Sequence, residues 1–324
     1  SRRIATMVFK MGVRTNSSDD ATGPLNRRRF LKAASAVVAA STARSAHASG
    51  KKGFSIALGG GAARGLAHIP VLEALDELGV TPSLIAGTSM GAVIGAAYAS
   101  GMTGLEIREF ALDVLSNRMN TLRRLFPGNP VSWASLFALG NAAALDPEVL
   151  MSVALPERVP DTFAELAIPM RIVTADFYAE DQFVIDAGPL HRAIGASSAL
   201  PVFLSPVEWG DRVLIDGGFV NPTPFDILED RPGVIIAVDV TGNGNRKTGG
   251  IPGGLDTWIG SSQIALHSLV NERLKRIEPD LLIRPEISAY SSMDFHLVDE
   301  ILAVGEAEKE RAKRELGTLL DSAG

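Results

Sequence analysis

The sequence predicts an α/β protein with a largely parallel central sheet covered by helices on both faces. Three observations carry that expectation. Short apolar runs alternate with longer helical stretches from residue 53 onward. Two glycine-rich turns, Gly59–Gly65 and Gly87–Gly91, each join an apolar run to a helical one, which is the junction of a parallel crossover. A chain of 324 residues with 46% hydrophobic content has ample material for one sizeable core.

Taken in order, Phe54–Leu58 reads as the first strand. Leu66, Ile69, Leu72, Leu75 and Leu78 then recur every third position, one face of a helix that Gly79 ends. Ser83–Ala86 is the second strand, and the helix after it stops at Gly101. A third helix is expected over Leu105–Leu115. Further strands are expected at Met170–Ala175, Phe183–Ile185, Val213–Ile215 and Val234–Val240, and helices at Pro189–Ser197, Thr257–Ile277 and Asp294–Leu320. Thr241–Gly254 reads as a surface loop, and the charged run Glu306–Glu315 as a solvated helix face. Leu122–Leu155, rich in Leu, Phe and Trp, has two readings: a core-packing insertion, or a mobile cap over an apolar groove. No internal repeat or domain boundary stands out within the body.

Charge separates the N-terminal segment from this body. Residues 1–48 hold nine Lys/Arg and two Asp/Glu, a net of +7 against −6 for the whole chain, so the remainder carries −13. An acidic body argues against a nucleic-acid partner. Arg27-Arg28-Arg29-Phe30-Leu31-Lys32, an alanine-rich stretch and Ala46-His47-Ala48 resemble a twin-arginine export signal with its cleavage site. The expectation is a mature protein starting near Ser49 outside the cytoplasm, periplasmic or secreted; a basic tail on a cytoplasmic protein is the alternative. There is no cysteine, so disulfides and thiolate chemistry are excluded.

The first turn, Gly59-Gly60-Gly61-Ala62-Ala63-Arg64-Gly65, lets successive amides converge at a helix start and bind an anion. Arg64-Gly65-Leu66 is not the Gly-Lys-Ser/Thr of a phosphate-binding loop, and the glycine spacing does not fit a dinucleotide fingerprint. An oxyanion hole fits better, with each donor worth roughly 3–4 kcal/mol in a transition state. Arg64 is expected to anchor the loop by a salt bridge, with service to an anionic head group as the alternative.

The second turn, Gly87-Thr88-Ser89-Met90-Gly91, has the strand–turn–helix pattern that forces a serine outward at a helix N-terminus. Gly87 and Gly91 would give room for the strained turn. Ser89 then needs a proton acceptor. His68 reads as a packing or loop-orienting residue, and no motif surrounds His191 or His267. His296 is the one placed to close a Ser–Asp–His order, with Asp239 as a possible acid. Asp216, followed by Gly217-Gly218 at a strand end, is the other candidate. It could equally be a turn aspartate capping its own loop.

Gly59–Gly65 with Ala67–Leu72, then Gly87–Gly91, then Ala196–Pro201, then Asp216-Gly217-Gly218-Phe219-Val220-Asn221-Pro222-Thr223-Pro224, in this order, resemble the bacterial patatin-like phospholipases over about residues 53–240. The resemblance implies a three-layer α/β/α fold and a Ser–Asp dyad. Ser89 would be the nucleophile and Asp216 the acceptor, meeting across neighbouring strand tips, with no histidine. Gly59, Gly60, Gly61 and Ala62 would supply the oxyanion hole, supported by Arg64, Gly65, Gly87, Gly91, Gly217 and Gly218. Ala62 stands where the family often has glycine. A lipid or lysolipid substrate follows, with transient contact with a membrane or micelle surface and neither cofactor nor metal. A histidine-dependent esterase and a non-catalytic lipid-binding protein are the alternatives.

Overall fold

The computed structural model describes residues 53–115, 146–242 and 251–322. The segment expected to direct export, most of Leu122–Leu155 and most of the Thr241–Gly254 loop lie outside the described residues.

An eight-stranded mixed sheet organises the chain. Its strands are β1 (Phe54–Leu58), β2 (Leu84–Thr88), β3 (Met170–Asp176), β4 (Asp181–Ile185), β5 (Val207–Trp209), β6 (Arg212–Asp216), β7 (Val234–Val238) and β8 (Leu281–Ile283). The order is β5-β6-β3-β2-β1-β7-β8, with β4 also paired to β3. β3, β2, β1, β7 and β8 run parallel, as expected, while β4 and β6 pair antiparallel with β3.

The helices are α1 (His68–Leu78), α2 (Met90–Ala99), α3 (Gly104–Asp113), α4 (Pro147–Ala154), α5 (Leu190–Ser197), α6 (Gly254–Leu274) and α7 (Val298–Ser322). Strand periodicity explains the layering. Phe54, Ile56 and Leu58 of β1, Ile85 of β2 and Val234, Ile236 and Val238 of β7 face a large core shared with α1, α2, α5 and α7. The intervening Ala57, Leu84, Ala86 and Ala237 face the other side, where Phe225, Leu228 and Leu274 cover them. The parallel strands are thus buried on both faces, which is why they read as continuous apolar runs.

Three expectations change. The first helix begins at His68 rather than Leu66, because Ala62–Ala67 winds as a 3-10 turn. The last begins at Val298, after a separate turn over Phe295–Leu297. Its charged run is not simply solvated: Lys309 bridges Glu73 and Glu77 of α1, and Arg108 of α3 holds Glu73 at 2.6 Å. Of Leu122–Leu155, the described end forms α4, capped by Asp146 with Pro147 in its first turn; Met151 and Leu155 are buried in the main core.

Candidate active site

The sheet edge carrying the C-terminal ends of β1 and β2 holds both glycine-rich turns. Ser89 sits between β2 and α2 at φ 51°, ψ −120°. That left-handed backbone is strained for a residue with a side chain and turns the hydroxyl out of the helix. The hydroxyl caps nothing; it donates to Asp216 Oδ2 at 2.7 Å. Room for the turn comes from Gly91, where a β-carbon would stand 2.0 Å from the Leu58 carbonyl oxygen. A β-carbon at Gly87 would stand 2.8 Å from Ala92 Cα, and one at Gly65 2.4 Å from the Met90 side chain.

Asp216 arrives by an unexpected route. The strands carrying Ser89 and Asp216 are not neighbours, because β3 lies between them. β6 runs against β3 and ends with Asp216 opposite Thr174, while Thr88 lies opposite Val173 on the other side of β3. The chain then turns across β3 at Gly217, where a β-carbon would meet the Val173 carbonyl oxygen at 2.2 Å. Gly218 donates its amide to Asp216 Oδ1 at 2.7 Å. Thr88 Oγ1 donates to the Asn221 carbonyl at 2.9 Å, tying the serine turn to the Asp216 loop.

Asp216 is 4% exposed, whereas Ser89 is half-buried and reachable from solvent. Burial pushes the Asp216 carboxyl up to about 6, against the opposing pull of the Gly218 amide and the Ser89 hydroxyl. A carboxylate so held is a stronger base than one in water.

The glycine turn differs in detail from expectation. Gly60 does lie against Ser89, where a β-carbon would stand 3.2 Å from the serine Cβ. The Gly59 and Gly60 amides, however, are consumed by the carbonyls of Val238 and Pro222, at 3.0 and 2.8 Å. Four converging amides therefore reduce to two. Among the described residues, Gly61 and Ala62 are the loop amides with no protein acceptor, the next two being bonded to Ser292 and Gly61 carbonyls. Adjacent loop amides left without a protein acceptor fit a site that receives a ligand oxygen. Ala62 adopts φ 47°, the backbone glycine would take without strain.

Arg64 anchors this loop, though not by a salt bridge. Its guanidinium donates to the carbonyls of Tyr290 and Thr241, both at 2.7 Å, and to the Gln263 amide oxygen. His68 Nε2 donates to the Gly59 carbonyl at 2.7 Å and so holds the loop from beneath. Its Nδ1 is buried without a partner, and burial pushes the imidazole down to about 4, so it is neutral.

None of the described histidines is hydrogen-bonded to Ser89 or Asp216. His191 bonds the Val159 carbonyl, His267 bonds Asn271 within α6, and His296 is exposed. Asp239 binds Thr241 and Arg284 and is hydrogen-bonded to none of the described histidines. Among the described residues no cluster of three or more His, Cys, Asp or Glu side chains is arranged to hold a metal ion.

Ser197 is a contact that the residue-by-residue reading missed. Its buried hydroxyl accepts from the Ser89 amide at 2.9 Å and donates to the Val173 carbonyl at 2.6 Å. The signal was present in Ala196–Pro201, but a Ser-Ser pair at a helix end carries no spacing rule that tells which hydroxyl turns inward.

An outward serine on a strained strand–helix turn, with a buried carboxylate on its hydroxyl, places the chain in a class of α/β proteins with a hydrogen-bonded serine–aspartate pair. Within that class, a family model described as patatin-like phospholipase matches residues 56–229, and the chain belongs to that family. An uncharacterized NTE family protein of Mycobacterium bovis is 35% identical over 189 residues, 58% of this chain and 49% of the relative. Patatin-like phospholipase domain-containing protein 6 of Mus musculus is 29% identical over 281 residues, 78% of this chain and 20% of the relative. The chain thus spans about half the length of the mycobacterial protein and a fifth of the mouse one. The crystal structure of VipD from Legionella pneumophila aligns with a TM-score of 0.44 at 12% identity, covering 82% of this chain and 67% of that one.

Proposed function

We propose that the protein is a lipid acyl hydrolase that cleaves carboxylic esters of a phospholipid, lysophospholipid or neutral lipid through an acyl-Ser89 intermediate. The observation that carries this reading is the 2.7 Å bond from Ser89 Oγ to Asp216 Oδ2, with none of the described histidines bonded to either. Family membership supports a lipid substrate.

In the proposed cycle Ser89 passes its proton to Asp216 as Oγ attacks the ester carbonyl. The negative oxygen of the tetrahedral intermediate is held by the Gly61 and Ala62 amides. When the intermediate collapses, the alcohol leaves with the proton from Asp216. A water molecule, deprotonated by Asp216, then attacks the acyl carbonyl, and the fatty acid leaves as Ser89 regains its proton. The burial that raises the Asp216 pKa narrows the gap between base and hydroxyl, and it supports this role without a third residue.

A serine-directed fluorophosphonate separates this reading from a lipid-binding protein that keeps the fold. Labelling is expected at Ser89 in the wild type and is lost in Ser89→Ala. A folded wild type that does not label, yet binds lipid, would favour the binding module.

The twin-arginine resemblance of Arg27 and Arg28 supports export of the folded enzyme. A reporter fused to residues 1–50 is expected to leave the cytoplasm, and to stay inside once both arginines are replaced by lysine. Export that survives the double replacement would refute the route. Among the described residues no helix is long and apolar enough to cross a membrane.

A further inference from the structure

The end of α5 touches both members of the Ser89–Asp216 pair. Ser197 Oγ accepts the Ser89 amide at 2.9 Å, and two residues on the Ala199 carbonyl accepts the Asp216 amide at 3.1 Å. Both bonds lie outside the regular hydrogen bonding of helix and sheet. The Ser197 hydroxyl proton goes to the Val173 carbonyl, on the strand that separates β2 from β6. Ser197 is fully buried at 0% exposure, so water cannot substitute for its oxygen without a cavity opening.

This arrangement has a mechanical meaning. Ser89 and Asp216 come from strands with no ladder between them. Their separation is therefore not fixed by direct strand pairing. The left-handed backbone at Ser89 leaves its amide unused by α2, and an amide without an acceptor would pull the turn toward another conformation. The strut Ser197–Ala199 takes up that amide and the Asp216 amide together.

We propose that Ser197 is a positioning residue, whose hydroxyl locks the Ser89 turn onto β3 and so sets the distance between the serine and the carboxylate. The proposal rests on the hydrolase reading above and adds to it the part that holds the geometry. A displacement of about 1 Å at such a site costs about 100-fold in rate.

The test compares full-length wild type, Ser197→Ala and Ser197→Thr on a soluble short-chain ester, with unfolding midpoints measured for all three. Ser197→Ala is expected to lose about 10- to 100-fold in kcat with KM changed less than about threefold. The acidic limb of its kcat profile is expected to move upward, because a loosened serine no longer donates steadily to the Asp216 charge. Ser197→Thr, which keeps the hydroxyl, is expected to restore most of the rate. A folded Ser197→Ala with full kcat and an unmoved limb overturns the proposal, and so does a folded Ser197→Thr no faster than Ser197→Ala. If the alanine variant does not fold, Ser197→Cys replaces it: partial loss with a shifted limb supports the proposal, and full kcat overturns it. The two readings fail differently. A wild type without Ser89-dependent turnover removes both, whereas Ser89-dependent turnover beside an unaffected Ser197→Ala removes only this one.

Discussion

Asp216 faces Thr174 across the antiparallel pair β3–β6, one position further along β3 than the Val173 that faces Thr88. That single-residue offset brings the end of one strand level with the serine that follows another. Had β6 paired one residue along, the side chain of Asp216 would point to the opposite face of the sheet.

The first prediction concerns which side chains the chemistry needs. Ser89→Ala and Asp216→Asn are each expected to lower kcat/KM by at least about 1,000-fold while remaining folded. His191→Ala, His267→Ala and His296→Ala are expected to stay within about threefold of wild type, because none meets the pair. Steady-state kinetics on one soluble ester decides this. A folded, inactive His296→Ala would instead revive a histidine-dependent mechanism.

The pH dependence follows from the Asp216 environment. Burial raises its carboxyl to about 6, and the proposed base must be ionised to act. Turnover is expected to fall below about pH 6, not about pH 4. Stability moves the other way. Between the unfolded carboxyl value of about 3.9 and the folded one, the native state holds more protons than the unfolded chain, so stability declines as pH rises through that window. Above it the buried charge is a burden on the order of 2–3 kcal/mol. Asp216→Asn is thus expected to unfold later than wild type at pH 8, with the advantage gone at pH 4. Denaturant titrations at the two pH values read it directly.

Two glycines are expected to be irreplaceable for steric reasons. Gly91→Ala would drive a methyl to 2.0 Å from the Leu58 oxygen, and Gly217→Ala to 2.2 Å from the Val173 oxygen. Neither backbone oxygen can rotate away, and losses above about 3 kcal/mol or failure to accumulate as soluble protein are expected. Gly260, inside α6 with open space around it, is the control. Gly260→Ala is expected to stabilise by up to about 1 kcal/mol. Thermal unfolding of the three variants checks the contrast.

His68 supplies a further prediction. Its bond to the Gly59 carbonyl holds the glycine turn without a hydrogen bond to Ser89 or Asp216. His68→Leu is expected to slow labelling of Ser89 and reduce kcat by about 10-fold, through a loosened oxyanion loop. The acidic limb should stay near pH 6, since the neutral imidazole does not titrate there. A limb that shifts with His68→Leu would give the histidine a direct electrostatic role.

Much of this architecture was legible in the chain. The parallel strands β1, β2 and β7 announce themselves because burial on both faces demands unbroken apolar runs. Ser89 and Asp216 stood out because glycines crowd the turns on which they sit. What stayed hidden is physical as well. β5 and β8 have three residues each, too few for any period to emerge. The α4 cap, Asp146 before Pro147, was a readable start signal lost within a longer apolar segment. Strand order leaves no trace in composition, so the interposed β3 was invisible. Nor can a run of glycines reveal that Gly59 and Gly60 spend their amides on Val238 and Pro222, while Gly61 and Ala62 keep theirs.

The φ of 51° at Ser89 has an evolutionary corollary. Glycine would sit there at ease, whereas a side chain costs on the order of 1–2 kcal/mol. Ser89→Gly is therefore expected to yield a sturdier protein that hydrolyses nothing. Selection for durability alone would favour glycine at this position; under the proposed mechanism the hydroxyl is kept for its reactivity, at the expense of resilience.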